Sequence, residues 1–146
     1  MRRCDESVDP SPPGGSNMIE PGTALPSKHR VITAPPMKVL AKILRDPNPI
    51  HLDASAVAAA GLGDKVINQG PANVAYIISM VQEAFPDHRL AKLESRYLAN
   101  VRDGDHVEAG GTVTESSPDM ITCETWLRLE DGSNAVAATL TLVPRD

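Results

Sequence analysis

Apolar residues recur at helical spacing in the first third of the chain. Four of them occupy the i, i+3, i+4 and i+7 positions of an amphipathic helix: Met37, Leu40, Ala41 and Leu44. Thr33 is a suitable N-cap residue for this helix, and Pro35 and Pro36 suit its first turn. Pro47 must end it. The pattern therefore predicts an amphipathic helix after Thr33, preceded by a short strand over residues 29–33.

A second helix, apolar on a wider face, begins near Gly70. Pro71 occupies a first-turn position, and Pro86 ends the helix. Between them, five apolar residues recur at helical spacing: Val74, Ile77, Ile78, Val81 and Phe85. We expect this helix to be buried, because so wide an apolar face needs a covering layer. Between the two helices, Asp53 can cap a short helix over residues 54–60.

The rest of the chain has the pattern of β-strands. Four runs have strand character, over residues 90–101, 106–115, 120–130 and 135–143. Turn-forming residues separate the runs and predict hairpin connections: Asp103-Gly104-Asp105, Ser117-Pro118-Asp119 and Asp131-Gly132. A long apolar helix followed by antiparallel strands predicts an α+β hot-dog fold, in which a curved antiparallel sheet wraps around a long central helix.

Composition narrows the class of protein. The chain has 146 residues, 41% hydrophobic and 23% charged, as expected of one domain. Residues 1–17 are rich in Pro and Gly and poor in bulky apolar residues, so we expect a disordered N-terminal tail before a domain over residues 18–146. The net charge is −5, and the 14 Lys and Arg are scattered, which argues against nucleic acid as a partner.

Membrane spans, zinc sites and disulfides are not expected either. No apolar stretch approaches the roughly 18 residues that cross a bilayer, and no signal peptide is visible. Cys4 and Cys123 are interpreted as free thiols, so a reducing cytoplasm is the expected location. The four histidines lack the spacing of zinc ligands, so neither a metal nor a bound cofactor is predicted.

Candidate chemistry is concentrated between Asp46 and His51. This segment holds a carboxylate, an amide and an imidazole, and two prolines stiffen it. Adding water across a double bond needs a base and an acid, tasks that Asp46 and His51 can share, and Asn48 could orient the carboxylate. The alternative is structural, since Asp-Pro and Asn-Pro form turns and the histidine could be an ordinary loop residue.

With its surroundings, this segment resembles the (R)-specific enoyl-CoA hydratases, or hydratase 2, of the MaoC-like dehydratase family. Their signature, Asp-x-Asn-Pro-aliphatic-His after a helix, is matched from Asp46 onward to Asp53. Gln69-Gly70 before the central helix and residues 101–105 before a strand continue the match. The resemblance covers about residues 20–145.

This resemblance implies an enzyme that hydrates a trans-2-enoyl thioester to the (R)-3-hydroxyacyl thioester, or reverses that reaction. Asp46 and His51 would hold the water for syn addition, with Asn48 in support. The N–H of Gly70 would polarise the thioester carbonyl. Unpaired N–H groups at a helix N-terminus suit that role on physical grounds as well. Coenzyme A would enter only as part of the substrate.

Four residues depart from the common pattern of that family: Arg45 in place of Gly, Gln69 in place of His, Pro71 in place of Met, and Ala75 in place of Ser. Asn73 can supply a polar group near the position of the missing serine. We therefore predict that Gln69 and Asn73 contact the substrate.

Other candidate residues carry less weight. His88 and His106 lie in predicted turns, where a solvated histidine is the usual case. Trp126 is expected in the core or at a subunit interface rather than in the wall of an acyl pocket. A loose basic group could meet the phosphates of coenzyme A, although such residues usually form a solvated strand face: Arg89, Lys92, Arg96 and Arg102.

Two other functions stay open. A hot-dog thioesterase would also use a carboxylate and the N-terminus of the central helix. A non-catalytic acyl-binding subunit would keep the fold beside an active homologue. In all three cases the expected partner is an acyl thioester, borne by coenzyme A or an acyl carrier protein. We expect a homodimer or a dimer of dimers, because a small domain with an open sheet edge usually pairs it.

Overall fold

The structure, a computed structural model, describes residues 18–146. The elements follow one another in this order: β1 Lys28–Val31, α1 Ala34–Leu44, a 3₁₀ turn Pro49–His51, α2 Ala54–Ala59, α3 Gly70–Ala84, β2 His88–Tyr97, β3 His106–Ser116, β4 Ile121–Leu129 and β5 Asn134–Pro144. The predicted tail over residues 1–17 lies outside the described residues.

The five strands form one antiparallel sheet in the order β1-β3-β4-β5-β2. The sheet wraps around α3, which confirms the predicted α+β hot-dog fold. One residue from each of the three central strands illustrates the inner face: Val113 is opposite Cys123, and Cys123 is opposite Leu140. All three are fully buried, so the core lies between this face and α3.

Helix α3 supplies the other half of the core. Ile77 and Val81 are 0% exposed and Met80 is 1% exposed. These residues lie on one face of the helix, as their spacing predicts. The helix ends at Ala84, with Phe85 as its C-cap residue and Pro86 directly after it. The buried central helix is therefore confirmed over its whole predicted length.

The predicted hairpin between the first two long strands is wrong. Asp103-Gly104-Asp105 does form a tight turn, in which the N–H of Arg102 donates to Asp105 Oδ2 and Gly104 has a φ of 88°. However, β2 pairs with β5, whereas β3 pairs with β1 and β4. The turn therefore ends a connection that crosses from one side of the sheet to the other, a change of partner that Asp-Gly chemistry alone does not reveal.

Strand β2 also ends earlier than predicted, at Tyr97 instead of residue 101. The N–H groups of Leu98 and Ala99 both donate to Ala135, and the chain then leaves β5. Val101 accepts a hydrogen bond from the N–H of Asn68 at 2.7 Å. The last predicted residues of this strand thus pair with the segment that leads into α3.

The capping of the two smaller helices differs. Thr33 occupies the N-cap position of α1, but its side chain makes no capping bond, and Asp103 Oδ1 accepts from the N–H of Ala34 at 3.1 Å instead. Asp53 does cap α2, because its Oδ1 accepts from both the hydroxyl and the N–H of Ser55. These hydrogen bonds lower the pKa of Asp53 below its usual range.

The sheet positions Cys123 and Trp126 on opposite faces. Cys123 is a free thiol on the inner face, and burial raises its pKa to about 11. Cys4 is outside the described residues. Trp126 lies on the outer face of the sheet, where it is half-buried. The Arg128 guanidinium is 4.5 Å from its ring centroid. Trp126 is therefore not part of the core beside α3.

No helix within residues 18–146 is long and apolar enough to span a membrane.

Candidate active site

The end of α1 delivers Asp46 to the site. Arg45 follows the helix in the left-handed conformation, with a φ of 52°, and the N–H of Asp46 then donates to Ala41 at 2.9 Å. This conformation favours glycine. The backbone at Arg45 would thus suit the glycine that the resemblance implies at this position. Arg45 forms no ion pair with any residue between 18 and 146.

Asp46 and Asn48 fold the loop by hydrogen bonds to the backbone. The N–H of Asn48 donates to Asp46 Oδ1 at 3.0 Å. The side chain of Asn48 accepts from the N–H of Ile50 at 3.3 Å and thereby caps the 3₁₀ turn. Asn48 therefore restrains the Asp46 carboxylate through its backbone, while its side chain shapes the turn that carries His51.

His51 is 9% exposed and lies beside Asp46. Its Nδ1 is 2.6 Å from the carbonyl oxygen of Ile67, which can only accept, so Nδ1 bears the proton. Its Nε2 is 3.4 Å from Asp46 Oδ2. In the neutral imidazole, Nε2 therefore carries the lone pair and faces a carboxylate. The structure brings together the two residues that the sequence pattern singled out.

Backbone pairing holds this loop against the segment before α3. The N–H of Ile67 donates to Ile50 at 2.9 Å, next to the His51–Ile67 contact. Three residues later, Gly70 begins α3. The Asp46–His51 pair and the N-terminus of the buried helix are thus linked through a short stretch of chain.

Gln69 is the N-cap residue of α3 and is 1% exposed. Its Nε2 donates to the carbonyl of Met37 in α1 at 2.8 Å, so it ties the two helices together. Its Oε1 is buried and has no hydrogen-bond partner among the described residues. A contact between Gln69 and the substrate stays a prediction.

The first turn of α3 offers one backbone donor. The N–H groups of Ala72 and Asn73 both donate to Gln69, at 3.1 and 3.3 Å. Pro71 has no N–H. The N–H of Gly70 finds no acceptor within residues 18–146. Gly70 is therefore the residue whose N–H can bind an anionic oxygen at this helix end.

Asn73 is 3% exposed and belongs to a buried network. Its Oδ1 accepts a hydrogen bond from Asn68 Nδ2 at 2.8 Å. Asn68 Nδ2 also donates to the hydroxyl of Tyr76 at 3.2 Å. The described contacts of Asn73 are thus internal to the protein. Its predicted contact with the substrate stays a prediction.

An apolar groove of about 680 Å³ lies between α1 and α3. It is lined by residues of both helices and of the segments before them: Arg30, Pro35, Pro36, Val39, Leu40, Ile43, Asn68, Gln69, Pro71, Ala72, Ala75 and Tyr76. The groove reaches the first turn of α3, because Gln69 and Pro71 belong to its wall. Ala75 also lies in that wall, where a small side chain leaves space.

A smaller pocket of about 360 Å³ lies beside Asp46. Lys38, Lys42 and Leu52 line it together with the aspartate. The lysines give this side of the site positive charge. Within the part of the chain that the structure describes, no three His, Cys, Asp or Glu side chains are grouped as metal ligands.

Tyr97 is a site residue that sequence reasoning missed. A Cβ atom added to Gly70 would lie 2.9 Å from Cε1 and Cζ of the Tyr97 ring. The phenol therefore lies directly against the first residue of α3. The contact joins the end of β2 to the start of α3, and the only sequence signal for it is an aromatic residue where the strand pattern stops.

No protein-family model matches the chain, and no curated protein matches it. Solved structures share its fold. A chain of the ChsH1-ChsH2 complex from Mycobacterium tuberculosis has a TM-score of 0.79 at 22% identity, over 88% of this chain and 100% of that chain. The (R)-hydratase from A. caviae involved in PHA biosynthesis has a TM-score of 0.79 at 20% identity, over 87% of this chain and 98% of that chain. The MaoC-like dehydratase from Rhodospirillum rubrum has a TM-score of 0.72 at 22% identity, over 88% of this chain and 94% of that chain.

The structural neighbours of this chain thus include MaoC-like dehydratases and (R)-hydratases. At identities near one fifth, the likeness establishes the shared hot-dog fold.

Proposed function

We propose that this protein is a MaoC-like hydratase that interconverts a trans-2-enoyl thioester and the (R)-3-hydroxyacyl thioester. The observation that carries the proposal is the Asp46–His51 pair, with His51 Nε2 3.4 Å from Asp46 Oδ2. This distance is long for a direct hydrogen bond. One water molecule placed beside the pair can contact both atoms at once. Fold likeness to (R)-hydratases supports the same reaction by analogy.

The tautomer of His51 assigns the roles within the pair. Nδ1 donates a hydrogen bond to the carbonyl oxygen of Ile67. Nε2 is therefore free to take a proton from the water while the water oxygen bonds to C3 of the acyl chain. The Asp46 carboxylate orients the water and stabilises the imidazolium that forms. His51 then delivers the proton to C2 on the same face, which gives syn addition. Addition of water forms a C–O and a C–H bond with no net oxidation or reduction, so it calls for no electron carrier.

The N-terminus of α3 and the groove beside it provide a place for the acyl group. The thioester oxygen would accept from the unpaired N–H of Gly70, where the helix dipole favours negative charge. The acyl chain would extend along the groove past Ala72 and Ala75. Gln69 would border the thioester. Coenzyme A or an acyl carrier protein would bear the substrate as part of the thioester.

We also propose that the protein works as a homodimer in the cytoplasm. Strand β2 pairs with β5 on one side and, among the described residues, has no neighbour on the other. Pairing this edge with that of a second copy would extend the sheet and satisfy its backbone groups. The buried thiol of Cys123 is compatible with a reducing compartment.

An assay against a series of enoyl-CoA thioesters tests the proposed function. Loss of the conjugated enoyl absorbance reports hydration, and thiol release, followed separately, reports hydrolysis. We expect absorbance to fall without thiol release. Thiol release at a matching rate would identify a thioesterase instead. Binding of acyl-CoA without either change would identify a non-catalytic acyl-binding subunit.

A further inference from the structure

The phenol of Tyr97 lies against Gly70, at the helix end on which the proposed reaction depends for charge stabilisation. A Cβ atom on Gly70 would lie 3.1 Å from the Tyr97 hydroxyl oxygen, as well as 2.9 Å from two of its ring carbons. The hydroxyl group is therefore beside the first residue of α3. It is an O–H donor that the proposed mechanism has not yet used.

This helix end lacks a second backbone donor. Pro71 has no N–H, and the N–H groups of Ala72 and Asn73 are occupied by Gln69. Gly70 alone would face the oxygen on which negative charge develops. Sites that stabilise such an oxygen commonly present several preorganised donors. The Tyr97 hydroxyl is close enough to Gly70 to complete the set.

The residue before Gly70 also carries a buried acceptor without a partner. Gln69 is 1% exposed and lines the groove at the first turn of α3. Its Oε1 has no hydrogen-bond partner among the described residues. Buried acceptors are normally paired, so a donor group of a bound ligand or of its hydration shell would complete Gln69 next to this helix end.

Tyr97 is also available to a ligand. In the single chain this last residue of β2 is 59% exposed, and its hydroxyl makes no hydrogen bond with any residue from 18 to 146. Its ring is held on one side by contact with Gly70. The side chain is thus positioned by its ring and unpaired at its oxygen.

We propose that the Tyr97 hydroxyl is a second hydrogen-bond donor to the thioester oxygen, beside the N–H of Gly70. The inference rests on the proposed hydration. As the water oxygen bonds to C3, the electrons of the C2–C3 double bond move toward the carbonyl and form an enolate. Tyr97 and Gly70 stabilise the enolate oxygen. When His51 delivers the proton to C2, the carbonyl reforms, and Tyr97 keeps its own proton throughout.

The variant Tyr97→Phe keeps the ring over Gly70 and removes only the oxygen. We expect kcat for crotonyl-CoA to fall about 100-fold, the usual scale for loss of one such donor, while KM stays within about twofold. Binding of butanoyl-CoA, a saturated thioester that develops no charge, should be nearly unchanged. If Tyr97 had a purely structural role, turnover of crotonyl-CoA and binding of butanoyl-CoA would fall together. Thr139→Val, which removes a hydroxyl from the outer face of the sheet, serves as the control.

The outcomes separate this inference from the proposed function. If the wild type hydrates crotonyl-CoA, Asp46→Asn does not, and Tyr97→Phe turns over within about twofold of the wild type, the role of Tyr97 is wrong and the hydratase stands. If Tyr97→Phe weakens butanoyl-CoA binding as much as it slows turnover, or changes the oligomeric state, the donor role is also overturned. If the wild type hydrates no enoyl-CoA, both proposals fail.

Discussion

Asp46 and His51 show how far single residues can be interpreted from the sequence. Their separation of five positions and the two prolines between them predicted a preorganised pair, and the structure places them side by side. The contact of Tyr97 with Gly70 could not be predicted, because it joins residues 27 positions apart through the way β2 ends beside α3. The role of Arg45 was equally hidden, since it depends on a backbone angle rather than on charge.

The conformation of Arg45 leads to a prediction about stability. Replacement by Gly should raise the free energy of unfolding by about 0.5–1 kcal/mol, because the left-handed conformation costs a side-chain-bearing residue more than it costs glycine. Denaturant unfolding of the wild type and the variant measures the difference. Arg45→Ala keeps the backbone strain and should match the wild type. A loss of stability in Arg45→Gly would mean that contacts of the arginine side chain outweigh the strain.

A side chain at Gly70 is predicted to lower turnover. In Gly70→Ala, the new Cβ would lie 2.9 Å from the Tyr97 ring and displace it, since this exposed ring can move. The protein should fold, and kcat should fall at least about tenfold. Gly110→Ala is a matched control, because its Cβ would lie 2.9 Å from the Trp126 ring on the outer face of the sheet. Normal turnover in folded Gly70→Ala would remove this contact from the mechanism.

At the scale of elements, helices were more predictable than strand partners. Helical periodicity located α1 and α3 correctly, because one buried face determines the pattern. The pairing of β2 with β5 rather than β3 was missed, since Asp-Gly turns have the same residues in a hairpin and in a crossing connection. The capping of α1 by Asp103 depends on a contact 69 residues away, which local pattern does not contain.

The central helix should carry much of the stability. Ile77 is 0% exposed against the sheet, and Ile77→Ala should lower the free energy of unfolding by about 2–5 kcal/mol through lost burial and a cavity. Ser79 lies on the exposed side of the same helix, so Ser79→Ala should change it by less than about 0.5 kcal/mol. Equal effects of the two substitutions on denaturant unfolding would contradict the assigned orientation of α3.

At the scale of the whole molecule, the hot-dog fold follows from one buried helix and the strands around it. The assembly cannot be deduced in the same way, because the only sign of a partner in a single chain is an unpaired strand edge. The same edge could serve a second copy or a related subunit, and a complex of two different chains occurs among the structural neighbours.

Homodimer formation through β2 predicts a specific pattern of amide exchange. The sedimenting mass should be about twice that of the chain or a multiple of that value. In the dimer, β2 amides that point away from β5 should be protected from hydrogen exchange, whereas the outer edge of β1 should exchange freely as an internal control. A monomeric mass, or protection confined to the β1 edge, would rule out this arrangement.

The most direct test of the whole account is the rate of crotonyl-CoA hydration by Asp46→Asn, His51→Ala and the double variant. Each single change should lower the rate by at least about 100-fold, and the double variant should be little slower than either, because the two groups act on one water. Each variant should still bind butanoyl-CoA, since neither residue holds the carrier. Hydration near the wild-type rate in both single variants would contradict the acid-base pair and the proposed hydratase with it.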